Sequence, residues 1–136
     1  MRVDLELLDD QIFTKLVDYV TENLTEPILT VDNFSTIQND LADDSIFPFV
    51  FLKRINGIET ALDLERNTFN GGLFTYEIRV TSNESQEEAK DVMNCITKAM
   101  KSMLFSGTSL PISSDSDNLH MVSARWQREL HEDDSL

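Results

Sequence analysis

Hydrophobic and polar positions are most sharply ordered between Gly71 and Leu104. Phe74, Tyr76, Ile78 and Val80 alternate with Thr75, Glu77, Arg79 and Thr81. A period of two is that of a strand with one buried and one wet face. After the polar break Thr81-Ser82-Asn83-Glu84, the residues Ser85-Gln86-Glu87-Glu88 have capping-box spacing. The Ser85 hydroxyl can accept from the Glu88 N–H, and Glu88 can reach back to the Ser85 N–H. Ala89, Val92, Met93, Ile96, Ala99, Met100, Met103 and Leu104 then recur at steps of three and four, the stripe of an amphipathic helix. Gly107 sits where this helix is expected to stop.

Elsewhere the pattern predicts fewer elements. Leu5, Leu8, Ile12, Leu16, Val17, Val20 and Leu24 form one side of a helix over Asp4–Leu24, closed by Pro27. Residues 28–45 mix short apolar runs with many Asp and Asn and specify no element. Phe47–Leu52 is a continuous apolar run, expected as a strand covered on both faces, with Pro48 at its start or edge. Asn56-Gly57 is a tight-turn signal, and Asn70-Gly71-Gly72 is expected to turn the chain into the main strand. Between them two readings compete, a three-strand meander or a projecting arm over Lys53–Gly72. The arm is favoured because the middle has no good buried face. Ser106–Asn118 reads as a Ser/Asp-rich loop in which Leu110-Pro111-Ile112 can add a short edge strand. In Leu119–Leu130, Val122, Ala124 and Trp126 alternate with polar neighbours as a last strand, before an acidic tail expected to fray. The expected fold is α+β in one domain over 1–136: an antiparallel sheet of about four strands, two helices packed on it and a projecting β-hairpin arm. Residues 131–136 are expected to be a flexible tail.

Composition narrows the chemistry. With 136 residues and 40% hydrophobic content, one domain can bury a sizeable core. No apolar run of membrane-spanning length exists and the N-terminus lacks a signal-peptide core, so a cytoplasmic site of synthesis is expected. The single cysteine, Cys95, lies at the edge of the helix stripe and reads as a small buried hydrophobe. His120 and His131 have opposite parity in one strand and do not converge, so no metal site is expected. The many carboxylate pairs sit on polar faces or loops, no phosphate loop is present and no Ser stands in a nucleophile motif. No cofactor and no enzymatic activity are expected. Twenty-five acids against 11 bases give a net charge of −14, which argues against a protein that grips nucleic acid.

Several stretches resemble one family. Phe47-Pro48-Phe49-Val50, Asp63-Leu64-Glu65, the run Asn70–Asn83, Ser85-Gln86, Ala89–Met93, Ala99–Met103 and Met121–Trp126, in that order, resemble the tail terminators, or tail-to-head joining proteins, of long-tailed phages and prophages. The first 45 residues match only as a helix followed by a variable segment.

The resemblance implies a structural virion protein at the tail neck, assembled in the host cytoplasm. Six copies would form a ring on the head-proximal end of the tail tube, stop its growth and meet the head connector. DNA would pass through the pore without specific binding. Another ring-forming neck or head-completion protein, or a small acidic cytosolic adaptor or inhibitor, are the alternatives. On the ring reading, Lys53, Arg54, Ile58, Glu59, Leu62, Asp63, Leu64, Glu65, Arg66 and Phe69 of the arm are candidate subunit-interface residues, since apolar and charged residues mixed in this way suit a covered surface with a charged rim. Asp115 and Asp117 are candidate lumen residues.

Overall fold

The computed structural model describes residues 2–36, 46–62, 69–116, 118–131 and 134–136. Its elements are helix α1 (Leu8–Asn23), strands β1 (Phe34–Ser35), β2 (Phe49–Leu62) and β3 (Phe69–Ser82), helix α2 (Gln86–Ser102), and strands β4 (Ser106–Ser116) and β5 (Leu119–His131). The strands form one sheet in the order β1-β2-β3-β5-β4. All pairs are antiparallel except β1 with β2, which is parallel. The fold is therefore α+β with two helices, but the sheet is five-stranded and mixed. The expected four-stranded antiparallel sheet misses β1, which is only two residues long, and does not count β4 as a full strand.

The core forms where the two periodicities meet. Phe74, Tyr76, Ile78 and Val80 of β3 join Val50 and Leu52 of β2, and Val122, Ala124 and Trp126 of β5, in one buried cluster. Leu8, Ile12, Leu16, Val17 and Val20 of α1 enter the same cluster, as do Val92, Met93, Ile96 and Met100 of α2. The methionines of the α2 stripe are thus core. Phe49 and Phe51 are buried as well but lie outside this cluster, so the start of β2 is covered on both faces as its unbroken apolar run requires. Cys95 is buried, and burial pushes its thiol pKa up.

The helix ends depart from the sequence reading in instructive ways. Helix α1 is preceded by a 3-10 turn at Leu5–Leu7, capped by Asp4, whose Oδ1 accepts from the Glu6 N–H at 3.1 Å. It ends at Asn23, four residues before Pro27. At the start of α2 the Glu88 N–H donates to Ser85 Oγ at 3.1 Å, as the capping box predicts. The reciprocal bond does not form. The Ser85 N–H donates to Ser82 Oγ at 3.4 Å, and the Ser82 hydroxyl donates to Glu88 Oε1 at 3.2 Å. The Glu88 pKa is raised, first by burial and then by the neighbouring Glu84 carboxyl. At the other end Leu104, not Gly107, takes the left-handed conformation, with φ 63°. The Phe105 N–H bonds the Met100 carbonyl and the Leu104 N–H bonds the Lys101 carbonyl, both at 3.0 Å. That pair of bonds defines a Schellman cap. Met100 and Phe105 are both buried beneath it.

Neither Asn-Gly signal makes a turn. Asn56-Gly57 lies inside β2, next to an irregularity in register between Arg54 and Asn56, and Gly71-Gly72 lies inside β3. No glycine among the described residues has positive φ. Gly71 instead makes room for a neighbour: it pairs with His131, and a Cβ there would collide with the histidine ring. The described tail residues meet the N-terminal segment and the core. The Val3 N–H bonds the Asp134 carbonyl at 2.9 Å, Arg2 bridges Ser135, and Leu136 packs against the core.

Candidate assembly surfaces

No side-chain constellation among the described residues converges as a reaction centre would, and no group of three His, Cys, Asp or Glu among them is placed to hold a metal ion. The features that stand out are edges and faces of the sheet.

Lys53–Gly57, assigned by sequence to the arm, are instead part of the sheet proper. Their β3 partners, Glu77 to Phe74, are themselves paired with Arg125 to Arg128 of β5. Only at Leu62↔Phe69, beyond Gly71↔His131, does the ladder narrow to the two strands β2 and β3. Ile58, Glu59 and Leu62 lie on the outer half of β2, and Phe69 opens β3. Asp63, Leu64, Glu65 and Arg66 fall outside the described residues, as does Asp117. The described candidates therefore divide between the interior of the sheet, at Lys53 and Arg54, and the outer part of the β2–β3 ladder.

Among the described residues, the outer edge of β2 is unpaired over most of this length. β1 covers only Val50 and Phe51, so among the described residues no strand pairs with the outer side of β2 from Leu52 onward. A cleft of about 200 Å³ opens beside it, lined by Asp9, Thr36, Leu52, Lys53, Arg54 and Tyr76. The buried Tyr76 hydroxyl donates to Asp9 Oδ1 at 2.5 Å, and Arg54 Nη1 stands 3.7 Å from the same oxygen. Burial, and then the Asp9 carboxylate, push the Tyr76 pKa far above its ordinary value. The phenol is thus fixed as a donor, tying α1 to the centre of the sheet.

On the sheet face away from the core cluster, Glu77 is flanked by Arg79 at 3.2 Å and Arg125 at 3.5 Å, with Lys53 as its cross-strand neighbour. Three of the 11 bases of a strongly acidic chain thus gather around one carboxylate.

The opposite edge is β4, exposed almost throughout. Leu110 is 85% and Ile112 63% exposed. Asp115, the described lumen candidate, ends this strand and meets His120 Nδ1 at 2.5 Å across the β4–β5 hairpin. The sequence allows a short edge strand at Leu110-Pro111-Ile112, and the strand observed is longer, Ser106–Ser116. With both faces wet, β4 has no alternation to read, and the β-branched Ile112 beside Pro111 was its one signal. No protein-family model matches this chain, and no curated protein matches it in sequence.

Proposed function

We propose that this chain is a tail terminator of a long-tailed phage, a structural subunit that closes into a ring on the head-proximal end of the tail tube and joins it to the head connector. The sequence resemblance over Phe47–Leu130 is the starting point. The structural observation that supports it best is that, among the described residues, no strand pairs with β4 at one side of the sheet or with the outer half of β2 at the other. An exposed edge is a template for another strand unless it is blunted, covered or paired. A head-to-tail interface uses two different surfaces of each copy and closes into a ring when the rotation between copies allows it.

In this reading six copies form the ring. The far end of the β2–β3 hairpin is the projecting arm, and Ile58, Glu59, Leu62 and Phe69, with Asp63–Arg66, are covered by a neighbour. Acidic charge toward the lumen lets DNA pass without being held. The protein works in the virion neck after assembly in the host cytoplasm.

Native mass spectrometry and negative-stain microscopy of the full chain test this reading. A closed ring of six that binds the end of purified tail tubes is the expected result. A closed ring with no affinity for tube ends favours a different neck or head-completion protein. A monomer at all concentrations favours an acidic adaptor and overturns the proposal.

A further inference from the structure

We infer that β4 of one copy pairs antiparallel with the open edge of β2 in a second copy, with Asp115 lying opposite Arg54 of its neighbour, so that adjacent sheets become one continuous sheet. This rests on the ring reading for its closure but not for the contact itself.

The topology sets the direction. β2, β3, β5 and β4 are successive antiparallel neighbours, so β2 and β4 run oppositely at the two sides of the sheet. Placed side by side, β4 of one copy therefore meets β2 of the next in antiparallel sense. Since Arg54 is level with Gly107 through Tyr76 and Trp126, bringing it opposite Asp115 takes a slide along the strands, which a ring axis tilted to them provides. The lengths also agree: β4 spans Ser106–Ser116, and the uncovered part of β2 spans Leu52–Leu62.

Side-chain parity then selects a register. Arg54 pairs with Tyr76, whose side chain is in the core, so Arg54 stands on the helix side of the sheet. Asp115 pairs with His120, which shares the parity of the core residue Val122, so Asp115 stands on the same side. Opposed residues in a sheet must share a face, because a slip of one residue reverses every side chain. Asp115 opposite Arg54 satisfies that condition and joins unlike charges. Beyond it the register shift of β2 between Arg54 and Asn56 is taken up by one unpaired residue, which brings Ile112 opposite Ile58 on the other face.

Charge supports the choice of a second copy as the occupant. The β2 edge carries Lys53, across from Glu77, and Arg54, beside Asp9, while β4 carries Asp115 and no base. The side chains of Arg54 and Asp115 are 45% and 65% exposed, so each has room for a further partner. The apolar Ile112 lies three residues from Asp115 on the stretch Ile112–Ser116, whose register with β5 is unbroken. A neighbouring strand would cover it. Pro111, which has no N–H to donate, falls in the irregular stretch before it and limits regular pairing to this second half.

The experiment is disulfide trapping in the full chain with Arg54→Cys and Asp115→Cys together, read beside Ile112→Lys. Within one chain the two positions are separated by β3 and β5, about 14 Å at ordinary strand spacing, too far for a disulfide. Any bond is therefore between copies, and the buried Cys95 does not compete. A ladder of linked species under mild oxidation is expected, closing at the ring size, while Ile112→Lys weakens association at least tenfold without changing the melting temperature. Linked chains that never close would keep this contact and remove the ring reading. Rings that form without the link, and with Ile112→Lys unchanged, would overturn the contact and leave the ring. A chain that stays monomeric and unlinked overturns both.

Discussion

Leu104 holds a conformation that leucine seldom adopts, φ 63°, with its side chain 70% exposed. An L-residue there costs about 1–2 kcal/mol from the approach of Cβ to the following carbonyl. Nothing in the exposed side chain offsets that cost within one copy. Leu104→Gly should keep the Schellman bonds and stabilise the fold by about 1 kcal/mol. A rise of roughly 3–5 °C in melting temperature is the expected reading, and a lower melting temperature would mean that the Leu104 side chain contributes to the folded state. Sequence gave no sign of this residue, because a hydrophobic Leu at the end of a helix stripe reads as one more core position. The two Asn-Gly pairs failed for a related reason. Glycine serves turns and close approaches alike, and only the tertiary neighbours, Phe74 beside Gly57 and His131 beside Gly71, decide between them. Tyr76 gives a residue-scale prediction in pH. Its folded pKa lies above the unfolded value of about 10, so the stability tied to its protonated form is complete below pH 10 and declines as pH rises beyond it. Tyr76→Phe should lose about 1 kcal/mol at pH 7, near the low end for a bond to a charged group because Asp9 is half exposed. Above pH 10 its denaturant midpoint should fall less steeply than the parent's, and parallel curves would show that the phenol does not carry the alkaline loss.

At the scale of elements, what could be read was what is buried on one side. α1, α2, β3 and β5 each show an apolar period that matches their geometry, and the residues forming those stripes, apart from Leu24 and Leu104 at the helix ends, are in the core. Ile96 is a central example: it sits mid-stripe on α2 and is fully buried. Ile96→Ala should cost about 2–5 kcal/mol through lost burial and the cavity left behind. Urea unfolding would measure it as a lower midpoint with little change in slope, and a cost under about 0.5 kcal/mol would place Ile96 at a site that collapses freely. β1 and β4 were hidden for opposite reasons. β1 is too short to show any period. β4 is long but exposed on both faces, so no selection for alternation acts on it, and its Ser- and Asp-rich composition imitates a loop. The mixture of charged and apolar residues in Lys53–Gly72, taken as an arm, arises partly because β2 is an edge strand there: one face serves the sheet and the outer side stays open.

For the whole molecule, net charge sets the conditions under which copies can meet. At −14 per chain, every approach of two copies is opposed by repulsion between acidic surfaces, whatever contacts lie between them. That repulsion acts over a Debye length of about 8 Å at 0.15 M salt and about 3 Å at 1 M. The attraction at a β4–β2 contact comes mainly from backbone hydrogen bonds and from covering Ile112, neither of which salt screens. Only the single pair Asp115–Arg54 would weaken. Raising NaCl from 0.05 to 0.5 M should therefore strengthen self-association several-fold, seen in sedimentation velocity as a shift toward the assembled species at fixed protein concentration. Dissociation by salt would reverse the balance, and would point to the basic cluster of Lys53, Arg79 and Arg125 around Glu77 as the surface that meets the acids of a neighbour.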